Sequence, residues 1–350
     1  MENNLELQIQ ELENAIQKDE KNIKAILELA RLYAESDNFF MALKTYENAL
    51  KIEPDNYEAL INSGSLYFYN KNLEASLKNF LLAHKINQKD EILLTSLGNI
   101  YAELKNFENA KKYYEDALVV SPNNSEIYWA LGALYQDFQE HNKALVAFKK
   151  AYEMHLENEE YATCLAHTYQ VLGDLDKAYE LYQEALKINP NNEKTTLSLA
   201  NIQALKEKWN EAHKYYQKTI QINPDYYQAM VCEAICYNSE NNTQKAIEIL
   251  KNAISKDPTN PSAYTIYGNI LSSLGKFEEA IDLYKKIVKF STNKSQLDLF
   301  IANAYMQAGE VIKAMEYYRE AVKEDRDNKQ ALLLYLEITN EFILRKNKNA

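Results

Sequence analysis

The feature that most constrains this chain is the spacing of its prolines. Pro54, Pro122, Pro190, Pro224 and Pro258 are separated by 68, 68, 34 and 34 residues, all multiples of 34. With position 1 set at Ile23, nine consecutive 34-residue stretches run to Asn328 without insertion or deletion. All seven glycines then fall at two positions: Gly64, Gly98, Gly132 and Gly268 at position 8, and Gly173, Gly275 and Gly309 at position 15. Punctuation that recurs at a fixed period means one supersecondary unit stacked on copies of itself, because a single unit cannot bury its apolar face alone.

The side chains define the unit. Position 8 is Gly or Ala throughout (Ala30, Ala166, Ala200, Ala234 and Ala302 beside the glycines), which lets two helix backbones approach. Position 20 is small from Ala42 to Ala314, with Ser76 as the one hydroxyl. Large residues fill the space between: mostly Tyr at position 11, and Tyr or Phe at position 24 everywhere except Leu250. Positions 4, 7, 8 and 11 share one helical face and positions 20, 24 and 27 another, so each repeat holds two amphipathic helices. Position 15 is the turn between them, and Pro at 32 followed by Asn or Asp closes the second helix and offers a cap to the next. With 7 Gly and 6 Pro in 350 residues, turn chemistry for many strands is lacking.

The expected class is therefore all-α. Residues 1–22 carry the stripe Leu5, Ile9, Leu12 and Ile16 on a polar helix and read as an N-terminal cap. The repeats span 23–56, 57–90, 91–124, 125–158, 159–192, 193–226, 227–260, 261–294 and 295–328. Residues 329–350 form a C-terminal helix and basic tail, with apolar residues from Ala331 through Leu336, Ile338, Phe342, Ile343 and Leu344 around nearly its whole circumference. Either this helix is a cap that tolerates exposed leucines, or it is a surface for self-association.

Gly or Ala at 8, Tyr at 11, Ala at 20, Tyr or Phe at 24, Ala at 27 and Pro at 32 resemble the tetratricopeptide repeat over residues 23–328. The resemblance implies an α-solenoid: antiparallel helix pairs stacked into a right-handed superhelix, the first helix of each pair lining a concave groove through positions 2, 5, 9 and 12. On that implication the groove residues are Thr95, Asn99, Trp129, Thr163, His167, Asn201, Thr265, Asn269 and Asn303, with Phe68 and Tyr69 adjoining. Leu197, Val231 and Leu299 also stand at position 5. Trp129 is the expected anchor, since Trp dominates binding hot spots.

A co-chaperone carboxylate clamp is not expected, because Thr95, Leu197, Thr265 and Leu299 stand where that clamp uses Lys. The asparagine ladder of the O-linked N-acetylglucosamine transferase superhelix is missing too, position 6 being Asn only at Asn62. The expected occupant is an extended or helical segment of a protein or peptide. Two alternatives stand beside it: a substrate-recognition or regulatory module of an enzyme, such as a glycosyltransferase, whose catalytic part lies elsewhere, and an RNA-binding helical repeat.

Net charge −12 and pI near 5.1 disfavour nucleic acid and anionic membranes, which require clustered Lys and Arg. No nucleotide-binding loop, nucleophile elbow or metalloprotease motif is present, so no catalytic residue or cofactor is expected. Three cysteines do not suggest a disulfide framework, and no apolar signal core or membrane-length apolar run is found, so the expected compartment is the cytoplasm. Cys232 and Cys236 lie at i, i+4, but Cys164 and His167 are two repeats away, roughly 20 Å at helix spacings of 8–10 Å. No metal site is expected from those four, and the thiols read as packed. His84, His141, His155 and His213 are expected to be solvated. Repeat seven is the least regular, with Glu233 at position 7, Leu250 at 24 and Lys256 at 30, and is expected to be the weakest.

Overall fold

The computed structural model describes the backbone of residues 2–348 and the side chains of residues 5–340. Among the described residues there are twenty α-helices, one 3-10 turn and no strand. Helix α1 (Glu2–Lys18) precedes the repeats. The first helices of the nine repeats are α2 (Ile23–Glu35), α4 (Tyr57–Tyr69), α6 (Glu91–Glu103), α8 (Ser125–Asp137), α10 (Glu159–Val171), α12 (Glu193–Leu205), α14 (Tyr227–Ser239), α16 (Pro261–Ser273) and α18 (Lys294–Gln307). The second helices are α3 (Phe39–Ile52), α5 (Leu73–Ile86), α7 (Phe107–Val120), α9 (His141–Met154), α11 (Leu175–Ile188), α13 (Trp209–Ile222), α15 (Thr243–Lys256), α17 (Phe277–Ile287) and α19 (Val311–Glu324), followed by α20 (Lys329–Lys348).

Each pair is joined by the same turn. Position 15 has positive φ in all nine repeats: Gly173, Gly275 and Gly309 at 85°, 76° and 83°, and Asp37, Lys71, Lys105, Gln139, Glu207 and Asn241 between 56° and 64°. In the third repeat the Asn106 N–H donates to the Tyr101 carbonyl at 2.8 Å and the Lys105 N–H to the Ala102 carbonyl at 2.9 Å. This double bond pattern satisfies the last carbonyls of the first helix. Only three of the nine left-handed positions are glycine, so the hydrogen-bonded turn and the packing of the pair hold six side-chain-bearing residues in a conformation that costs roughly 1–2 kcal/mol each.

Inside the pair, position 8 makes room for the ring at position 24. A Cβ on Gly98 would stand 2.5 Å from the Tyr114 ring, and one on Gly64 or Gly132 would stand 2.7 Å from Phe80 or Phe148. Ser76, the hydroxyl at position 20, donates to the Gly64 carbonyl at 2.7 Å, so the small residues at 8 and 20 do meet.

The chain divides into two compact halves, residues 1–181 and 182–350. The N-terminal half holds one long cluster through Leu60, Phe80, Leu97, Tyr114, Leu131 and Phe148, and a second around Ile26, Tyr33 and Tyr46 that Ile9, Leu12 and Ile16 of α1 cover. The C-terminal half has four smaller described clusters, centred on Tyr216, Leu250, Tyr284 and Tyr318.

Capping differs as well. In the N-terminal half α2 to α8 and α10 each have an Asn or Asp side chain accepting a first-turn N–H, as Asn56 does from Ala59 at 3.0 Å. In the C-terminal half α13, α14, α17 and α19 start at Lys208, Tyr226, Lys276 and Glu310 with no side-chain cap.

Helix α20 sorts its apolar residues. Ala331 is buried, and Leu334, Tyr335 and Ile338 pack on the Tyr318 cluster, while Leu332, Leu333 and Leu336 are exposed. Phe342, Ile343 and Leu344 lie outside the described side chains.

Candidate functional site

Every helix that lines the candidate surface is the first of its pair. In the N-terminal half α6 touches α8, and in the C-terminal half α12, α14, α16 and α18 touch in succession, so free faces of first helices adjoin within each half. The residues expected on these faces, with their neighbours, divide into three groups.

The first group is already engaged. Asn99, Asn201, Asn269 and Asn303 each accept, through Oδ1, the hydroxyl of the position-24 tyrosine of their own repeat: Tyr114 at 2.7 Å, Tyr216 at 2.9 Å, Tyr284 at 2.7 Å and Tyr318 at 2.6 Å. Where position 24 has no hydroxyl, position 9 is not Asn: Ser65 pairs with Phe80, Ala133 with Phe148 and Ile235 with Leu250. Asn at position 9 thus answers a buried hydroxyl that would otherwise be left unpaired, a loss of about 1–3 kcal/mol. That bond aims the carboxamide and leaves its two N–H donors out of it. Likewise Thr95 Oγ1 donates to the Glu91 carbonyl at 2.8 Å, Thr265 Oγ1 to the Pro261 carbonyl at 2.7 Å, and Thr163 Oγ1 to Glu159 Oε1 at 3.2 Å.

The second group is turned inward. Leu197, Val231 and Leu299, expected on the groove, are buried. Trp129 is half-buried and packs on the N-terminal core beside Cys164. Its indole N–H is buried with no oxygen or nitrogen partner among the described residues, and it faces the Cys164 thiol. Burial raises the pKa of that thiol, and the indole contact opposes the rise. Trp129 thus packs one side of its ring on the core and keeps part of its surface open.

The third group is open. Tyr69 is exposed at 84%, and Phe68 is half-buried with the Lys71 ammonium 5.8 Å from its ring centre. His167 is exposed, yet partial burial of its ring and then neighbouring His141 lower its pKa. A cavity of about 280 Å³ opens between α4 and α6, lined by Tyr57, Ile61, Asn62, Ser65, Ile92 and Ser96 over Phe80 and Leu93, with the carboxylates of Glu58 and Asp90 at its margin. Ile61, Ser65 and Ile92 stand at the groove positions 5, 9 and 2 expected from sequence, although none of the three was singled out there; Ile92 carried a further signal, since position 2 is Lys, Glu, Gln or Ser in the other eight repeats, and it is 72% exposed. A larger hollow of about 520 Å³ lies at the loops around Ser121–Glu126. Its polar groups satisfy one another, Glu91 accepting from Ser121 Oγ at 2.9 Å and Asn124 Nδ2 at 2.6 Å, so it reads as a loop tie.

The histidines are less solvated than expected. His155 is exposed, but His84 stands edge-on to Tyr113 at 5.7 Å with a buried Nδ1, and His213 is 12% exposed beneath Tyr237. Cys164, Cys232 and Cys236 are free thiols. No described helix is long and apolar enough to cross a membrane.

Comparison with known proteins agrees with this geometry. Tetratricopeptide repeat families match residues 27–90, 90–157, 163–192, 204–270, 237–304 and 299–328. No curated protein matches. Among solved structures, a tetratricopeptide repeat protein from Parabacteroides merdae is 19% identical, aligned over 72% of this chain and 99% of that one with a TM-score of 0.59. YrrB, described as a TPR protein with an unusual peptide-binding site, is 23% identical over 53% of this chain and 95% of that one, with a TM-score of 0.46. MamA protein is 22% identical over 48% and 92%, also at 0.46. With the period, the shared left-handed turn and the packing of the glycines at position 8 against the rings at position 24, the chain belongs to the tetratricopeptide repeat family.

Proposed function

We propose that this protein is a non-catalytic interaction scaffold that holds an extended or helical segment of a partner protein against the first helices of repeats two and three. The observation that carries the reading is the cavity between α4 and α6. Ile61, Ile92 and Phe80 supply an apolar floor, while Asn62, Ser65 and Ser96 supply hydrogen-bonding groups around it. An apolar pocket with a few convergent polar groups is what a side-chain anchor of a bound peptide requires. Within the same half, Tyr69 and Phe68 extend the surface at the end of α4, and Thr95, Asn99, Trp129, Thr163 and His167 continue it with groups that carry no fixed charge. In the C-terminal half Asn201, Thr265, Asn269 and Asn303 present the corresponding surface, the three asparagines oriented by the tyrosine bonds above and Thr265 by its bond to the Pro261 carbonyl.

The test is affinity capture of partners by the intact chain against an Ile61→Asp, Ile92→Asp variant of unchanged helicity. Partners retained by the wild type and lost by the variant support the site. An unchanged set of partners removes it. Trp129→Ala in the same assay is expected to act through loss of packing, lowering thermal stability along with binding.

A further inference from the structure

At the junction of repeats six and seven, four positions that are apolar in most of the other repeats carry titratable side chains. His213 is position 21 of repeat six, and Glu233, Cys236 and Glu240 are positions 7, 10 and 14 of repeat seven. The same four places at the junction of repeats two and three hold Leu77, Leu97, Ile100 and Leu104. Drift at one position needs no explanation, but these four substitutions converge on one point. His213 Nε2 lies 2.7 Å from Glu240 Oε2 and 3.8 Å from Cys236 Sγ, and the three ligand atoms all fall within 4.8 Å of one another. Cys236 is buried, His213 nearly so, and Glu240 sits at the end of α14 with 28% of its side chain exposed, which leaves a way in from solvent.

We propose that His213, Cys236 and Glu240 bind a thiophilic divalent transition-metal ion of the zinc(II) class, pinning α13 to α14. Imidazole, thiolate and carboxylate are the donors such an ion takes, with bonds of about 2.0–2.3 Å that place tetrahedral ligand atoms about 3.3–3.8 Å apart. The observed separations bracket that range, and Glu240, at a helix end, is the side chain free to adjust. The fourth position faces the Glu240 side and is left to water.

The surroundings fit a metal-bound histidine. Metal-ligating imidazoles commonly direct their second nitrogen to a carboxylate, which fixes tautomer and ring orientation. Here Nδ1 is buried and faces Glu233 Oε1 at 3.6 Å, while Tyr237 stacks on the ring at 3.9 Å. Glu233, 6% exposed at a place where Leu97 packs in repeat three, thereby acquires a reason to be there. In the metal-free protein Cys236 is a free, buried thiol that carries a proton. Binding a divalent cation forms the sulfur–metal bond and releases that proton, with any proton on Nε2, to solvent.

The experiment titrates the full-length, untagged protein with cobalt(II), a spectroscopic probe for the zinc class. One equivalent should produce a thiolate-to-cobalt charge-transfer band that zinc(II) bleaches and that Cys236→Ser abolishes. Cys164→Ser and Cys232→Ser should keep the band, and Glu233→Gln should weaken binding about ten-fold or more through the imidazole. Absence of the band in the wild-type protein at excess cobalt(II) overturns the proposal whether or not any variant folds. So does a band that persists in Cys236→Ser or disappears in Cys232→Ser.

Discussion

Repeat three and repeat seven share a frame and differ in what fills it. In repeat three, α6 is capped by Asp90, α7 by Asn106, and Leu93, Leu94, Leu97 and Ile100 are all buried in the continuous core of the N-terminal half. In repeat seven, α14 starts at Tyr226 with no side-chain cap, Glu233 replaces the leucine of position 7, Cys236 the isoleucine of position 10, and the described core is a smaller cluster around Met230 and Leu250. Burial pushes the Glu233 carboxyl above the usual carboxylate range, and facing His213 opposes that rise. The lesson is that the helical frame survives loss of consensus at its core positions, because small residues at positions 8 and 20 and the left-handed turn at 15 remain, while the described apolar cluster that packs it is smaller.

The largest effect follows directly. Amides of residues 227–260 should exchange before those of 91–124 in chelator-treated protein, since openings of least-packed repeats cost least. Installing the leucines of the second and third repeats, His213→Leu with Glu233→Leu, should raise stability by about 1–4 kcal/mol and narrow the gap, because a buried polar pair is exchanged for packing. Equal protection in the wild type, or a destabilised double variant, would break the comparison.

The second test asks how much of repeat three rests on its own buried polar group. Asn99→Ala strands the Tyr114 hydroxyl and should cost about 1–3 kcal/mol. Adding Tyr114→Phe, which recreates the Ala133–Phe148 pairing of repeat four, should recover a good part of that cost. A double-mutant cycle with no coupling would show that the bond is incidental.

Position 4 supplies the third. Leu94 in repeat three corresponds to Asp298 in repeat nine, whose carboxyl is raised to about 6 by burial and then by Glu324 and Glu320. A folded pKa above the unfolded value near 3.9 means that the ionised form costs stability, so the C-terminal half should gain as pH falls from about 6 toward 4. Asp298→Asn should remove that gain and add about 1 kcal/mol at pH 7, after allowance for solvent screening. Denaturation midpoints at pH 7 and pH 5 measure both.

The smallest effects concern helix ends. Lys208→Asn places a cap at a backbone geometry (φ −88°, ψ 68°) close to that of Asn38 (φ −84°, ψ 63°) and should add about 0.5–1 kcal/mol. Glu207→Gly relieves a left-handed residue beside it and should add a similar amount, roughly 0.5–1 kcal/mol. Thermal unfolding of the two variants would show how much stability the sparser capping of the C-terminal half costs.

By itself the sequence determined the period, the two helices of each repeat, the turn position and the apolar stripe by which α1 packs on the first repeat, because each follows from local pattern: apolar spacing, small residues at two fixed places, Pro and Gly at two others. Those signals act within one turn or one helix pair, so they are written where they are read. Tertiary structure decided the rest. That Asn99, Asn201, Asn269 and Asn303 answer buried tyrosines could be seen only once positions 9 and 24 were brought together across a pair. The inward turn of Leu197, Val231 and Leu299 reflects how neighbouring helices cover position 5, which the identity of one residue does not specify. The Ile61–Ile92 cavity and the His213–Cys236–Glu240 cluster join residues 31 and 23 to 27 apart in the chain, on different helices. Spacing along one helix led instead to Cys232 and Cys236. Local propensity ends where one helix ends, and sites made between helices depend on packing.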